Sequence, residues 1–107
     1  MTQAIKAGLD LAGPAHGSIK SYNNHIGVPL TLARMPVETQ RAVFEIGMNA
    51  PGEIAPLSRF VAPHAACVTR HGPVVDLHAA LAHGRRHVAE LPRRDRDQAI
   101  EAFVLLR

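Results

Sequence analysis

The spacing of apolar and polar residues changes several times along the first half of the chain. Residues 2–11 carry apolar side chains at loosely helical intervals, and a glycine-proline pair follows at 13–14, so we predict a short helix that ends there. A brief strand is predicted over 16–20, ahead of a polar loop at 21–25 that contains two asparagines. The next helix is predicted over 29–34, because proline is favoured in the first turn of a helix.

The middle of the chain predicts a strand, a helix and a second strand. A nearly continuous apolar run over 42–46 is typical of a buried strand of a parallel sheet. Helical spacing follows over 53–61, and residues 65–69 form another apolar run. This order makes a βαβ unit, whose crossover is right-handed and whose strands are parallel. Ligands in such sheets bind at the carboxyl ends of the strands, which is where Glu45 lies.

The last third of the chain is predicted to be helical. Two helices, over 76–90 and 94–106, are separated at a leucine-proline pair. The fold class is therefore predicted to be α/β, with a parallel sheet and flanking helices in three layers. A length of 107 residues suits one domain, of which residues 1–75 form the main part and residues 76–107 a divergent helical segment.

Composition indicates a folded protein without a nucleic-acid surface. Apolar residues make up 47% of the chain and charged residues 20%, which is ordinary for a globular protein. The net charge is +3, but half of the 12 basic residues lie from Arg85 onward, where acidic residues are interleaved with them. Aromatic residues are only 4% of the chain, too few for a base-stacking surface. We expect no nucleic-acid partner.

Cysteine content and hydropathy predict a cytoplasmic protein. The single cysteine, Cys67, permits no internal disulfide, and its apolar neighbours indicate a buried strand position. No run approaches the length of a membrane span, and the first residues lack the apolar core of a signal peptide. We therefore expect no membrane partner.

Two segments of the chain resemble the central, ATP-binding domain of the Mur ligases. They are SYNNHIGVPLTL at 21–32 and AVFEIGMNAPGEI at 42–54, within a similar stretch from about 18 to 73. Other amide ligases share this central fold. The doubled asparagine before IGVPLTL and the GMNAPGEI turn are most similar to the branch that adds D-alanyl-D-alanine.

This resemblance implies an ATP-dependent amide ligase of peptidoglycan biosynthesis. In that chemistry a substrate carboxylate is phosphorylated, an amine attacks the acyl phosphate, and Mg²⁺ neutralises the phosphate charge. The implied substrates are UDP-N-acetylmuramoyl-tripeptide and D-alanyl-D-alanine. By the same resemblance Glu45 is the magnesium ligand, and Asn23 and Asn24 belong to the substrate-binding loop. No catalytic residue and no nucleotide-binding residue is assigned.

Three parts of the family pattern have no counterpart in these residues. No Gly-Lys-Thr or Gly-Lys-Ser phosphate loop (P-loop) occurs. The position of the family's metal-binding histidine falls on Val75, between His71 and His78. The position of its carbamylated lysine falls near Ala89, and no lysine follows Lys20. We therefore expect an incomplete central domain that binds ATP and Mg²⁺ weakly and does not catalyse ligation alone.

The competing hypothesis is a non-catalytic remnant or a protein-interaction module. It rests on the same three losses. It also rests on the apolar positions of the last predicted helix, which either pack on the domain itself or associate with another chain. Under this hypothesis we expect self-association and no role for Glu45.

Overall fold

A computed structural model describes residues 2–50, 52–68, 87–90 and 100–106 as an α/β arrangement of helices on a five-stranded sheet. The elements in chain order are α1 (Thr2–Asp10), β1 (Ala15–Gly17), α2 (Gly27–Ala33), β2 (Arg41–Gly47), α3 (Ile54–Val61), β3 (Ala65–Val68), β4 (His87–Glu90) and β5 (Ile100–Leu106). The helices and strands predicted before residue 69 are confirmed, with boundaries that differ by at most three residues. Among the residues just given, no helix is both long and apolar enough to cross a bilayer.

The strand order in the sheet is β1-β2-β5-β3-β4. The pairs β1 with β2 and β3 with β4 are parallel. Strand β5 lies in the middle and is antiparallel to both neighbours, with Phe103 opposite Phe44 on one side and opposite Ala66 on the other. Strands β2 and β3 therefore run in the same direction, as the βαβ prediction requires, but they are not hydrogen-bonded to each other.

Two predictions about the sheet and the C-terminal segment are wrong. The sheet is mixed rather than parallel, because β5 is inserted in the opposite direction. The predicted helices are wrong for 87–90 and 100–106, which are strands. The apolar residues of IEAFVLL satisfy helical spacing. The short apolar run AFVLL within this segment is equally typical of a strand paired on both sides. The remaining parts of both predicted helices lie outside the described residues.

The core lies on one face of β2, under α2 and α3. Side chains alternate between the two faces of a strand. Phe44 and Ile46 are fully buried and pack with Val28 of α2 and Leu57 of α3. Glu45 lies between them in the sequence and therefore emerges on the opposite face.

The opposite face of β2 is contacted by α1, which also packs on β1. Helix α1 brings its first residue, Thr2, to the carboxyl end of β2, where Glu45 lies. The fold thus places the Glu45 carboxylate on a strand that is paired on both sides, next to the first residue of α1.

Candidate functional site

The candidate site is centred on the half-buried carboxylate of Glu45, near the carboxyl end of β2. Thr2 Oγ1 donates a hydrogen bond to Glu45 Oε2 over 3.0 Å. Asn23 Nδ2 donates to Glu45 Oε1 over 3.1 Å. Each carboxylate oxygen therefore has one protein donor. Because a carboxylate oxygen accepts along two directions, each oxygen retains one direction for a further partner.

Asn23 is held in place by its backbone as well as by its side chain. Its carbonyl oxygen accepts a hydrogen bond from the backbone N–H of Gly47 over 2.8 Å. A Cβ atom at position 47 would lie 2.8 Å from Asn23 Nδ2, so only glycine permits this close approach. The loop of residues 21–25 is thereby fastened to the end of β2.

The side chain of Asn24 contacts the start of α2 rather than Glu45. Its Oδ1 accepts hydrogen bonds from the backbone N–H groups of Ile26, over 3.1 Å, and of Gly27, over 2.8 Å. These groups lie at the start of α2 and have no carbonyl partner within the helix. The side chain therefore caps α2 from two residues before the N-cap position, Ile26, whose own side chain makes no capping bond.

Two cavities flank the contact between Asn23 and Glu45. The first, which we call the Glu45 cavity, has a volume of about 540 Å³. It is lined by Thr2, Gln3, Lys6, Gly17, Ser18, Ile19, Lys20, Ser21 and Glu45. It combines one carboxylate with two lysines and several hydroxyl groups. A site with this mixture suits a phosphate and the cation that accompanies it.

The second cavity, which we call the asparagine cavity, has a volume of about 590 Å³. It is lined by Asn23, Asn24, His25, Gly47, Met48, Asn49, Glu53, Pro56, Leu57 and Phe60. Amide and charged groups lie on one side, and the side chains of α3 supply apolar surface on the other. A small number of convergent polar groups beside an apolar wall is typical of a site for an organic ligand.

Glu53 shapes the turn that borders the asparagine cavity. Its Oε2 accepts hydrogen bonds from the backbone N–H groups of Asn49, over 2.7 Å, and of Ala50, over 3.2 Å. These bonds, foremost the one from Asn49, lower the pKa of the Glu53 carboxyl below its usual value. Glu53 is therefore ionised at neutral pH and brings a negative charge to this cavity.

The donor set around Glu45 fits magnesium better than zinc. Zinc sites use three or four protein ligands, usually histidine and cysteine. Within residues 2–50 and 52–68 and the two short C-terminal strands, no group of three histidine, cysteine, aspartate or glutamate side chains comes together. Magnesium is commonly held by one or two carboxylates together with phosphate oxygens and water. Glu45 supplies the carboxylate, and the hydroxyl of Thr2 is a second hard oxygen beside it.

The structure brings together only some of the residues singled out in the sequence. Asn23 contacts Glu45, whereas the side-chain oxygen of Asn24 is used by α2. Sequence reasoning missed Thr2, because no local pattern predicts a bond between residues 43 positions apart. It also missed Lys20, whose signal is a positive φ angle that the sequence does not show. The region of His71 to His78, around the expected metal histidine, lies outside the described residues.

Part of this sequence is similar to known proteins. The family model of the Mur ligase middle domain matches residues 1–74, and the chain therefore belongs to that family. The UDP-N-acetylmuramoyl-tripeptide–D-alanyl-D-alanine ligase of Bacillus subtilis is 51% identical over 68 residues, which cover 64% of this chain. The ligase of the same name from Escherichia coli is 43% identical over 68 residues, also 64% of this chain.

A third relative, the ligase of this name from Rickettsia prowazekii, is 33% identical over 70 residues, which cover 65% of the chain. The matched region makes up only 14–15% of the length of these three relatives. No solved structure matches the chain.

Proposed function

We propose that this chain supplies the magnesium-binding and substrate-facing part of an ATP-dependent amide ligase of peptidoglycan biosynthesis. The relatives are ligases named for UDP-N-acetylmuramoyl-tripeptide and D-alanyl-D-alanine, and we propose the same substrates for the enzyme from which this chain derives. The proposed compartment is the cytoplasm. The chain spans a small share of its relatives, and we propose that it does not carry out ligation by itself.

The observation that carries this proposal is the hydrogen bond from Asn23 to Glu45, which joins a residue of one cavity to a residue of the other. Its carboxylate lines the Glu45 cavity, and Asn23, which donates to it, lines the asparagine cavity. A ligase must hold a phosphate donor and an organic acid side by side. A hydrogen-bonded pair with one side chain in each cavity meets this requirement.

Each residue of the pair has a proposed role. Glu45 holds Mg²⁺, which when bound neutralises phosphate charge during the phosphorylation of a carboxylate. Thr2 and Asn23 orient the Glu45 carboxylate through one hydrogen bond to each oxygen, so that its free directions point away from both donors. Asn23 and the cap residue Asn24 line the space proposed for the peptide substrate.

Replacing Glu45 with alanine tests this proposal. We expect the wild-type chain to bind ATP weakly in the presence of Mg²⁺, and we expect Glu45→Ala to weaken this binding at least tenfold, because the only proposed protein carboxylate for the metal is lost. Isothermal titration calorimetry with ATP, at fixed and at zero Mg²⁺, measures the effect. The matched control is Glu38→Ala, which removes an exposed carboxylate that lines neither cavity.

The same titration separates the two hypotheses about this chain. A non-catalytic remnant or interaction module predicts that Glu45→Ala and Glu38→Ala behave alike and that Mg²⁺ has no effect on ATP binding. Equal affinities for both variants would therefore contradict a magnesium role for Glu45.

A further inference from the structure

Lys20 has a backbone conformation that lysine seldom adopts. Its φ angle is +60°, in the left-handed region. Outside glycine, and to a lesser degree asparagine and aspartate, this conformation is unfavourable because Cβ crowds the following carbonyl oxygen. A strained residue of this kind persists only where the surrounding structure holds it, and such residues cluster at functional sites. Glycine at this position would remove the strain. The presence of lysine instead points to a role for its side chain.

The side chain of Lys20 lies at the Glu45 cavity, and its charge is not neutralised by a described neighbour. Two lysines line this cavity. Lys6 Nζ forms an ion pair with Asp10 Oδ2 over 2.7 Å on the same helix. No such pair involves Lys20 in the part of the chain that the structure describes. Lys20 is therefore the lysine available to an anion in the cavity.

A buried hydroxyl in the same cavity wall also has no partner. Ser18 is 1% exposed, and its Oγ forms no hydrogen bond with any described residue. Its backbone carbonyl, in contrast, accepts a bond from Gln3 Nε2 over 2.7 Å. A buried polar group without a partner is costly, and such groups are normally satisfied by protein, water or a ligand. The Ser18 side chain can rotate about its Cα–Cβ bond, and a rotation that turns the hydroxyl toward the cavity would let it donate to a ligand oxygen there.

We infer that Lys20 and Ser18 form a phosphate subsite in the Glu45 cavity, with Lys20 supplying the positive charge. The ligand class is a phosphate group, which comes either from ATP or from the diphosphate of a UDP-linked substrate. This inference rests on the proposed function, because it assigns the phosphate that would accompany magnesium at Glu45. The Lys20 ammonium group is the anion-binding cation of this subsite.

The carboxylate of Glu45 gives this subsite a distinctive dependence on metal. A phosphate beside Lys20 shares the cavity with Glu45, and two negative groups repel each other unless a cation lies between them. Phosphate binding should therefore be weak without Mg²⁺ and stronger with it. Removing the Glu45 charge by Glu45→Gln should instead allow binding without Mg²⁺.

Three substitutions at Lys20 separate charge from strain. Lys20→Gly removes both, Lys20→Asn removes the charge and tolerates the left-handed conformation, and Lys20→Arg keeps both. The control is Arg59→Met, which removes an exposed positive charge at the end of α3 that lines neither cavity. Each variant of the full chain is titrated with inorganic phosphate, ATP and UDP, with and without Mg²⁺, and its thermal unfolding is recorded.

We expect Lys20→Gly and Lys20→Asn to weaken phosphate binding about tenfold, the effect of losing one charged hydrogen-bond partner. Lys20→Arg and Arg59→Met should stay within about threefold of wild type. Lys20→Gly should raise the melting temperature by a few degrees, because the strain is relieved. A loss with ATP but not with UDP assigns the subsite to the nucleotide donor, and the reverse assigns it to the UDP-linked substrate.

Two results would overturn the inference. One is phosphate binding by Lys20→Asn equal to wild type, and the other is an equal loss in Arg59→Met. If Lys20→Asn binds normally while Glu45→Ala loses magnesium-dependent ATP binding, the subsite is refuted and the proposed function stands. If phosphate binding depends on Lys20 but ignores both Mg²⁺ and Glu45, the magnesium role fails and the subsite stands.

Discussion

Replacing Phe44 with alanine is expected to reduce the free energy of unfolding by about 3–5 kcal/mol, the range found for buried phenylalanines. Phe44 is fully buried in the middle of β2 and belongs to the core under α2 and α3. Its loss removes apolar burial and leaves a cavity that the closely packed neighbours cannot fill. Because a small domain has a total stability of about 5–15 kcal/mol, this change should remove a large share of it. Urea denaturation followed by circular dichroism measures the difference.

Phe60 provides the matched control for this experiment. It is the same residue type on α3, but 66% of its surface is exposed. Phe60→Ala should therefore change the free energy of unfolding by no more than about 0.5 kcal/mol. Similar losses in the two variants would show that the core does not lie between β2 and the two helices.

Replacing Gly27 with alanine is expected to destabilise the protein by about 1–3 kcal/mol, as overpacking does elsewhere. A Cβ atom at this position would lie 2.6 Å from the carbonyl carbon of Tyr22 and 2.7 Å from its Cα. These are backbone atoms, so the loop itself must move. Since Tyr22 directly precedes Asn23, we also expect weaker Mg²⁺-dependent ATP binding. Urea denaturation and calorimetry measure the two effects.

Gly8 is the control for Gly27. It lies within α1, and a Cβ atom there would meet nothing within 4 Å. Because alanine is favoured over glycine inside helices, Gly8→Ala should stabilise the protein by about 0.5–1 kcal/mol. The same substitution is thus expected to have opposite signs at the two positions. If Gly27→Ala left the free energy of unfolding unchanged, the contact between α2 and the loop at 21–25 would have to be looser than the 2.6 Å approach to Tyr22 indicates.

Local sequence patterns were sufficient to predict the elements that carry the candidate site. The apolar run of β2 and the helical spacing of α3 both describe segments whose burial is set by their own side chains. The position of Glu45 near a strand end followed directly from that run. Asn23 and Glu45 were singled out separately, by resemblance, and the structure shows them in contact.

The parts that failed depend on contacts between distant segments. Strand β5 has apolar residues at spacings that a helix also satisfies. Its extended conformation depends on backbone pairing with β2 on one side and β3 on the other. The bond from Thr2 to Glu45 requires α1 to pack across the sheet. Asn23 contacts Glu45, whereas Asn24 contacts the start of α2. This difference depends on the conformation of the loop before α2, which the spacing of residues in the sequence does not determine.

The central claim is that Mg²⁺ and phosphate bind at the Glu45 carboxylate. Paramagnetic Mn²⁺ can replace Mg²⁺ and broadens the nuclear magnetic resonance signals of nearby amides. In a ¹⁵N-labelled full chain with ATP, we predict selective broadening at Thr2, Asn23 and Glu45, which excess Mg²⁺ reverses and Glu45→Gln reduces. Broadening that spares these three amides, or that persists unchanged in Glu45→Gln, would contradict the claim.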